Sequence, residues 1–399
     1  MINEIRVYSM KPLVPESAKL PRVAIVHEWF ENWSGSEAVV EQIVKCYPEA
    51  EIFSTVNFLS EKDKKRLSGK IIRTSFIQNL PFARRLFRYY LGLMPLAVEQ
   101  FDLSGFDIVI SSHHAVAKGV ITGPDQLHIS YVHSPMRYAW DLQATYLRQS
   151  GLNKGLKGIY IRWLFHRLRN WDVRAAAGVD TFIANSNYIA RRIRKTWRRD
   201  AFVLPPPVDL ERFSPSMNKE DYYIVVSRLV PYKRVDLVVD AFRQMPKRKL
   251  VVVGSGPDEE LIREKAVGAM NVSFRGYVSD NELQALLSKA KAFVYAGEED
   301  FGISLVEAQA SGVPVLAYGR GGACDIVRHG ETGLLFANQT AECIIKTVNQ
   351  FERDGSNMPS ERCHENAMTF SNKNFCVRFR MLVEDQWNKF MTGLTESQS

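Results

Sequence analysis

Short runs of Val, Ile, Leu and aromatic residues recur along the chain, each followed by a longer stretch of amphipathic, helix-like pattern. In the first half the runs are RVAIVH (22–27), EIFST (51–55), FDIVISS (106–112), LHISYVH (127–133) and DTFIANS (180–186). In the second they are YYIVVSRL (222–229), KLVVVGSG (249–256), VSFRGYV (272–278), AFVYAG (292–297) and VPVLAYG (313–319). Runs this rich in Val and Ile, with helical patterns between them, predict buried parallel strands in βαβ units. The rhythm pauses at LPPPVDLERFSP (204–215), where Pro205, Pro206 and Pro207 exclude helix and central strand, so a stiff linker is predicted there. The pattern therefore predicts two doubly wound α/β domains, an N-terminal one over 1–203 and a C-terminal one over 204–379. Right-handed crossovers would turn both sets of strand C-termini toward one cleft, the usual ligand site of open α/β sheets. The last stretch, FCVRFRMLVEDQWNKFMTGL (375–394), is amphipathic, with Phe379, Leu382, Trp387 and Phe390 near one face.

Composition narrows the class without naming it. With 399 residues, 46% hydrophobic and 24% charged, the chain is neither disordered, collagen-like nor coiled-coil, and two domains suit its length. No run of 18 apolar residues predicts a transmembrane helix, and the opening 22 residues lack the apolar core of a secretory signal. Cys46, Cys324, Cys343, Cys363 and Cys376 are odd in number and far apart in sequence, which predicts a reducing cytosol and no zinc site. Charge is uneven: residues 1–200 hold 29 Lys and Arg against 18 Asp and Glu, while 201–399 hold 23 against 26. A basic N-terminal half points to a polyanion, whether nucleic acid, anionic membrane or phosphorylated substrate.

The basic excess has two foci. KDKKRLSGK (62–70) precedes FARRLFRYYLGLMPLA (82–97), in which Phe82, Leu86, Tyr89 or Tyr90, and Leu93 would share a helical face beside Arg84, Arg85 and Arg88. Such a segment suits an anionic bilayer, or equally a core-packing helix with a solvated basic side. The other focus, RRIRKTWRR (191–199), reads as a solvated helix face. Neither resembles a nucleic-acid module.

The densest chemistry lies at 297–314, GEEDFGISLVEAQASGVP. A strand ends, a loop presents Glu298, Glu299 and Asp300 before Phe301 and Gly302, and a helix is predicted to open near Ser304 and close at Gly312. Glu299 and Glu307 stand eight positions apart, one in the loop and one about a turn into the helix. The N–H groups of residues 302–305 would be unpaired there and would attract a phosphate.

Taken together, these segments resemble a retaining glycosyltransferase of family 4 with the two-Rossmann GT-B fold, over nearly the whole chain. EDFGISLVEAQASGVPVLA looks like that family's E-x7-E motif, with Glu299 and Glu307 as its glutamates. SRLVPYKRVDLVVDAF (227–242) looks like its donor-diphosphate segment, which maps Arg228 and Lys233 onto the basic pair. VVVGSGPDEELI (251–262) and FRGYVSDNELQALLSKAKAFV (274–294) match the neighbouring strand–turn–helix blocks. SGSEAVVEQI (34–43) resembles the loop usually written GGAE, Gly35 and Glu37 matching and Ser34 replacing the first glycine. HISYVHSPMRYAWD (128–141) looks most like bacterial mannosyltransferases that build O-antigen and exopolysaccharide, and His133 falls on the histidine facing the donor sugar.

The resemblance implies transfer of a hexose from a nucleotide sugar with retained configuration, most readily α-mannose from GDP-mannose, with UDP-glucose or another nucleotide hexose as the alternative. Arg228 would fork two diphosphate oxygens and Lys233 would add a compact charge as the leaving group develops. Gly35 would let the backbone approach phosphates, and Glu307 would bond the ribose hydroxyls. Glu299 would orient the sugar ring, with Phe301 and the amides of Gly302, Ile303 and Ser304 beside it. Tyr277 and Val278 would lie against the base. His133 would reach the sugar or reaction centre, and His113, His114, Arg137 and Tyr138 are acceptor-side or cleft candidates. Catalysis would fall to Glu299, His133, Arg228 and Lys233, with no cofactor and no metal.

GT-B chains usually send their last helix back onto the N-domain, so residues about 380–399 are expected to do so. The implied acceptor is a glycan on polyprenyl diphosphate, with the enzyme cytoplasmic and peripherally attached to the inner membrane. Attachment would run through Lys64, Lys65, Arg66, Arg84, Arg85 and Arg88, with Phe82, Leu86 and Phe87 dipping in. The rival readings are a non-catalytic scaffold and a nucleic-acid binder; the retained Glu299, Glu307, Arg228 and Lys233 argue against the first.

Overall fold

In a computed structural model describing residues 20–397, apart from Asn153, Met217 and 355–357, the Val- and Ile-rich runs form two parallel sheets. The first contains β1 (Val23–His27), β2 (Glu51–Ser54), β3 (Ile72–Thr74), β4 (Ile108–His113), β5 (Leu127–Val132), β6 (Thr181–Ala184) and β7 (Phe202–Val203), in the order β3-β2-β1-β4-β5-β6-β7. The second contains β8 (Tyr223–Val226), β9 (Leu250–Val253), β10 (Val272–Gly276), β11 (Ala292–Tyr295), β12 (Val315–Tyr318) and β13 (Gly333–Phe336), in the order β10-β9-β8-β11-β12-β13. β1, β4, β5 and β6 are buried at every position, as expected of strands covered by helices on both faces. Three strands are additional to those the pattern predicts. β3 and β7 are short edge strands with half-exposed residues, and GLLF of β13 is too short a run to separate from a loop.

Five helices bear on the site and its setting: α1 (Gly35–Cys46), α2 (Gly155–Ala177), α3 (Asn187–Trp197), α4 (Ile303–Ala310) and α5 (Asn372–Ser397). The linker at 204–215 is extended, with Val208 bridged to Ser371. The chain thus crosses between domains twice, side by side. α5 opens at Asn372, and Phe375, Phe379 and Val383 join the core of the first domain with Val39, Ile43 and Leu204. The boundary therefore falls eight residues before 380, because Phe375 and Phe379 already sit on N-domain side chains.

The basic segment at 82–97 is not one amphipathic helix. Phe82 takes a left-handed φ of 53°, and the chain continues as a short α-turn (Ala83–Leu86), a 3-10 stretch (Phe87–Gly92) and a further short helix (Met94–Glu99). The 3-10 turn changes the side-chain period, so Phe87 points into the core, while the exposed Arg88 pairs with Glu31. An apolar face does stand open on α2: Leu156, Ile159, Tyr160 and Trp163 are 55–85% exposed. They follow the i, i+3, i+4, i+7 spacing of a single helix side, and no acidic residue lies between Asp141 and Asp172. Among the described residues no helix is long and apolar enough to cross a membrane.

Candidate active site

The C-terminal ends of β1, β4, β5, β8 and β11 meet at a cleft of about 960 Å3 between the domains, within the range of small-molecule sites. Gly35, His114, His133 and Arg137 line it from one side, and Arg228, Lys233, Tyr277, Val278 and 299–304 from the other. The walls come close: a Cβ on Gly35 would lie 3.0 Å from Ile303 Cδ1, so any larger residue there would press on the opposite domain.

On the C-domain side, the chain leaves β11 and reaches Gly302, whose φ of +109° only glycine adopts readily, before entering α4. The N–H groups of Gly302, Ile303 and Ser304 have no hydrogen-bond partner among the described residues, a ready anion or hydroxyl site. Leu305 differs from expectation, because its N–H closes onto Gly302 O at 3.0 Å. The Glu299 carboxylate accepts the Lys233 ammonium and the Tyr295 hydroxyl. Burial and the nearby Arg137 charge push Lys233 down to about 8, while the Asp300 carboxylate pulls the other way. Arg228 lies exposed on the cleft wall with no ion pair among the described residues.

Glu307 does not line the cleft. It stands behind the wall, where burial raises its carboxyl against the pull of Arg212. Arg212 donates to it at 3.0 Å and reaches Asp280 on the wall at 3.1 Å. Sequence reasoning missed Arg212 because it lies in the linker, 95 residues from its partner and outside every motif.

On the N-domain side, strand ends and one helix start place four polar side chains in series. His27 ends β1, Ser112 is its register partner on β4, His133 follows β5, and Glu37 lies in the first turn of α1. His27 Nε2 is 3.4 Å from Glu37 Oε1, His27 Nδ1 is 3.1 Å from Ser112 Oγ, and Ser112 Oγ is 2.9 Å from His133 Nε2. Burial would raise the Glu37 carboxyl, but the His27 hydrogen bond, with the Ser34 hydroxyl, holds it at about 2. His133 is driven well below its usual value, first by burial and then by the His114 and His27 imidazoles beside it.

Glu28 is fully buried and accepts four N–H groups, from His114 (2.7 Å), Ala115 (2.6 Å), Val116 (2.6 Å) and Ala117 (3.0 Å), which shapes the loop carrying His114. His113 corrects an expectation: it is wholly buried, its Nδ1 3.2 Å from Glu28 Oε1 and its ring against Trp197, and does not line the cleft. His113 is the last residue of β4, whereas His114 opens the loop held by Glu28, and only His114 lines the cleft. Tyr138 is likewise turned into the core against Phe165 and Tyr146, away from the cleft that Arg137 lines.

The second basic focus is also not merely a solvated face. Arg192 of α3 reaches across to Asp300 at 3.3 Å and also pairs with Asp141, while Arg137 holds the other Asp300 oxygen at 3.1 Å. Ser186 donates to Asp300 O at 2.6 Å, and Asn187 donates to Asp325 at 2.7 and 2.9 Å. These contacts join the two domains around the cleft.

Comparison with known proteins places both domains. The profile for Glycosyltransferase Family 4 matches residues 33–212, and that for Glycosyl transferases group 1 matches residues 209–370. A Mycobacterium tuberculosis GDP-mannose-dependent alpha-(1-6)-phosphatidylinositol monomannoside mannosyltransferase is 32% identical over 204 residues, 44% of this chain and 53% of that protein. D-rhamnosyltransferase WbpZ of Pseudomonas aeruginosa is 33% identical over 143 residues, 34% of this chain and 37% of its own length. The chain spans about half the length of the mannosyltransferase it matches. Among solved structures, Anabaena HepE in complex with UDP and glucose superposes with a TM-score of 0.65 at 16% identity, covering 92% of this chain and 100% of that one. The lipopolysaccharide outer core galactosyltransferase WaaB superposes with a TM-score of 0.62 at 16% identity, over 92% and 99%. Likeness at that identity speaks for the fold alone, a pair of Rossmann-like domains in the GT-B arrangement.

Proposed function

The two domains belong to glycosyltransferase family 4 and to the group 1 glycosyl transferases, and from that premise we propose that this protein transfers a hexose from a nucleoside diphosphate sugar with retained configuration. The observation that carries the reading is the set of groups on the C-domain wall. Arg228, Lys233 and the amides of 302–304, of which Arg228 and the amides have no partner among the described residues, converge beside the Glu299 carboxylate. Cations and amides suit a diphosphate whose charge grows as the glycosidic bond breaks, and stabilise it most where that charge develops. Glu299 and His133 then hold the sugar from opposite walls. The acceptor hydroxyl attacks on the face from which the diphosphate departs, and a β-phosphate oxygen takes the proton.

Arg228 and Lys233 supply the charge compensation, so chelation of metals should leave turnover unchanged. GDP-mannose is the favoured donor, supported by HSPMRYAWD and by the GDP-mannose-dependent relative. A turnover panel of nucleotide sugars tests it: GDP release from GDP-mannose alone, with an α-linked product by NMR, is the expected result. Release of UDP from UDP-glucose alone would replace the donor, and no turnover with any sugar would sink the reading.

The favoured acceptor is a polyprenyl-diphosphate-linked glycan, which places the enzyme at the cytoplasmic face of the inner membrane. Attachment rests on exposed groups. Arg84, Arg85, Phe82 and Tyr89 remain available, and the open face of α2, flanked by Lys154, Lys157 and Arg167, adds aromatic and aliphatic side chains. Cations near an anionic surface contribute on the order of 1 kcal/mol each, and inserted apolar side chains add to this.

A further inference from the structure

We propose that Glu37, His27 and Ser112 are positioning residues that keep the proton of His133 on Nε2, leaving Nδ1 bare as an acceptor for a sugar hydroxyl. The inference deepens the reading above and rests on it in one respect, that the cleft holds a sugar. The rest follows from the order of donors and acceptors.

A carboxylate can only accept. Glu37 takes the Ser34 N–H at 3.1 Å, the Ser36 hydroxyl at 2.9 Å and the Ser34 hydroxyl, which binds the glycine loop to the start of α1. Its remaining contact, at 3.4 Å, is His27 Nε2, so that nitrogen carries a proton. A neutral His27 then has a bare Nδ1, which takes the single proton of Ser112 Oγ at 3.1 Å. With its proton committed, the Ser112 oxygen accepts from His133 Nε2 at 2.9 Å. His133 Nδ1 makes no hydrogen bond among the described residues, and its ring lines the cleft.

Among the described residues nothing else bonds to these nitrogens. His114 packs near both rings, at centroid distances of 6.2 and 6.3 Å, but bonds to neither. Glu28 is occupied by the 114–117 amides and His113. His27 and Ser112 are wholly buried, so neither meets substrate, and they act through His133. The series also couples two parts of the cleft: a shift of the glycine loop that moved Glu37 would be felt at His133. Outer partners that fix a histidine's tautomer are worth about 10- to 100-fold where ring orientation matters.

The test uses full-length protein labelled with 15N-histidine. Two-bond 1H–15N spectra should show a protonated Nε2 and an unprotonated Nδ1 at His133. Ser112→Ala should move His133 toward a tautomer mixture and lower kcat about tenfold or more, with the donor KM changed less than about threefold. Ser111→Ala is the control. It removes an equally buried 2.9 Å contact, to His128, one residue away, and should cost similar stability while leaving the His133 signals and kcat alone. Thermal melting verifies that both variants fold. A proton on Nδ1 in the parent protein, unchanged His133 signals in Ser112→Ala, or equal loss of kcat in Ser111→Ala would each overturn the proposal. Absence of any turnover in the parent would instead count against the transferase reading, because the tautomer signals are read without substrate.

Discussion

Lys233 is held between opposing influences at the residue scale. Desolvation disfavours its charge, and Arg137 adds repulsion, whereas Asp300 stabilises it. Its ammonium is needed to meet a diphosphate, so the charged fraction, and with it donor binding, should fall as pH rises through about 8. Donor KM measured from pH 6.5 to 9.5 should climb above about 8, and Lys233→Arg, which stays charged, should flatten that limb. Glu299→Ala and Lys233→Ala should each remove most turnover with an unchanged melting curve. Arg212 carries a separate expectation. Arg212→Ala leaves Glu307 buried without its cation, so donor KM should rise about tenfold with kcat less affected. An unchanged KM would separate Glu307 from donor binding.

α5 matters at the scale of the element. It follows the C-domain in sequence but supplies Phe375, Phe379 and Val383 to the N-domain core, beside Thr181, which donates to Gln386 at 3.0 Å. Phe379 is fully buried against Tyr47 and Phe375. Phe379→Ala should therefore cost about 3–5 kcal/mol of unfolding free energy, while Met381→Ala on the exposed side stays within about 0.5 kcal/mol. Chemical denaturation of the two variants measures this, and equal stability would mean that α5 contributes little to that core. α2 behaves differently: its inner side buries Phe165 and Leu168, while Leu156, Ile159, Tyr160 and Trp163 face outward. Vesicle sedimentation should fall several-fold when Trp163 and Ile159 are changed to Ser, and binding should weaken with salt.

Domain closure belongs to the whole molecule. Asp300 holds two arginines of the other domain, and Asp325 accepts two hydrogen bonds from Asn187. Asp325 does not line the cleft, so it reports on closure without touching a ligand. Hydrogen bonds to a charged group at a partly exposed site contribute about 1 kcal/mol, so Asp325→Ala should lower kcat/KM about fivefold. Small-angle scattering should show a wider mean separation of the domains; unchanged scattering would mean that Asp300 alone sets the closed form.

Fold class was legible along the chain because a strand buried on both faces must be apolar at consecutive positions, and ten such runs stand between helical patterns. The 297–314 loop was legible for a related reason: Gly302, the adjacent acids and the small-residue helix lie together in sequence, and local geometry follows from local residues. β3 and β7 were not, since an edge strand of two or three half-exposed residues draws its stability from its neighbour. Which of His113 and His114 meets the cleft depends on Glu28, 85 or more residues away, and Glu307's partner lies in the linker. The series from Glu37 to His133 joins β1, β4, β5 and α1 through hydrogen bonds that exist only once the sheet is assembled. Periodicity records what each segment must bury, and so the sequence alone determined the elements and the motif loop. Long-range pairing of polar groups leaves no period to read, and so only the tertiary structure decided which side chains face the cleft and what holds them there.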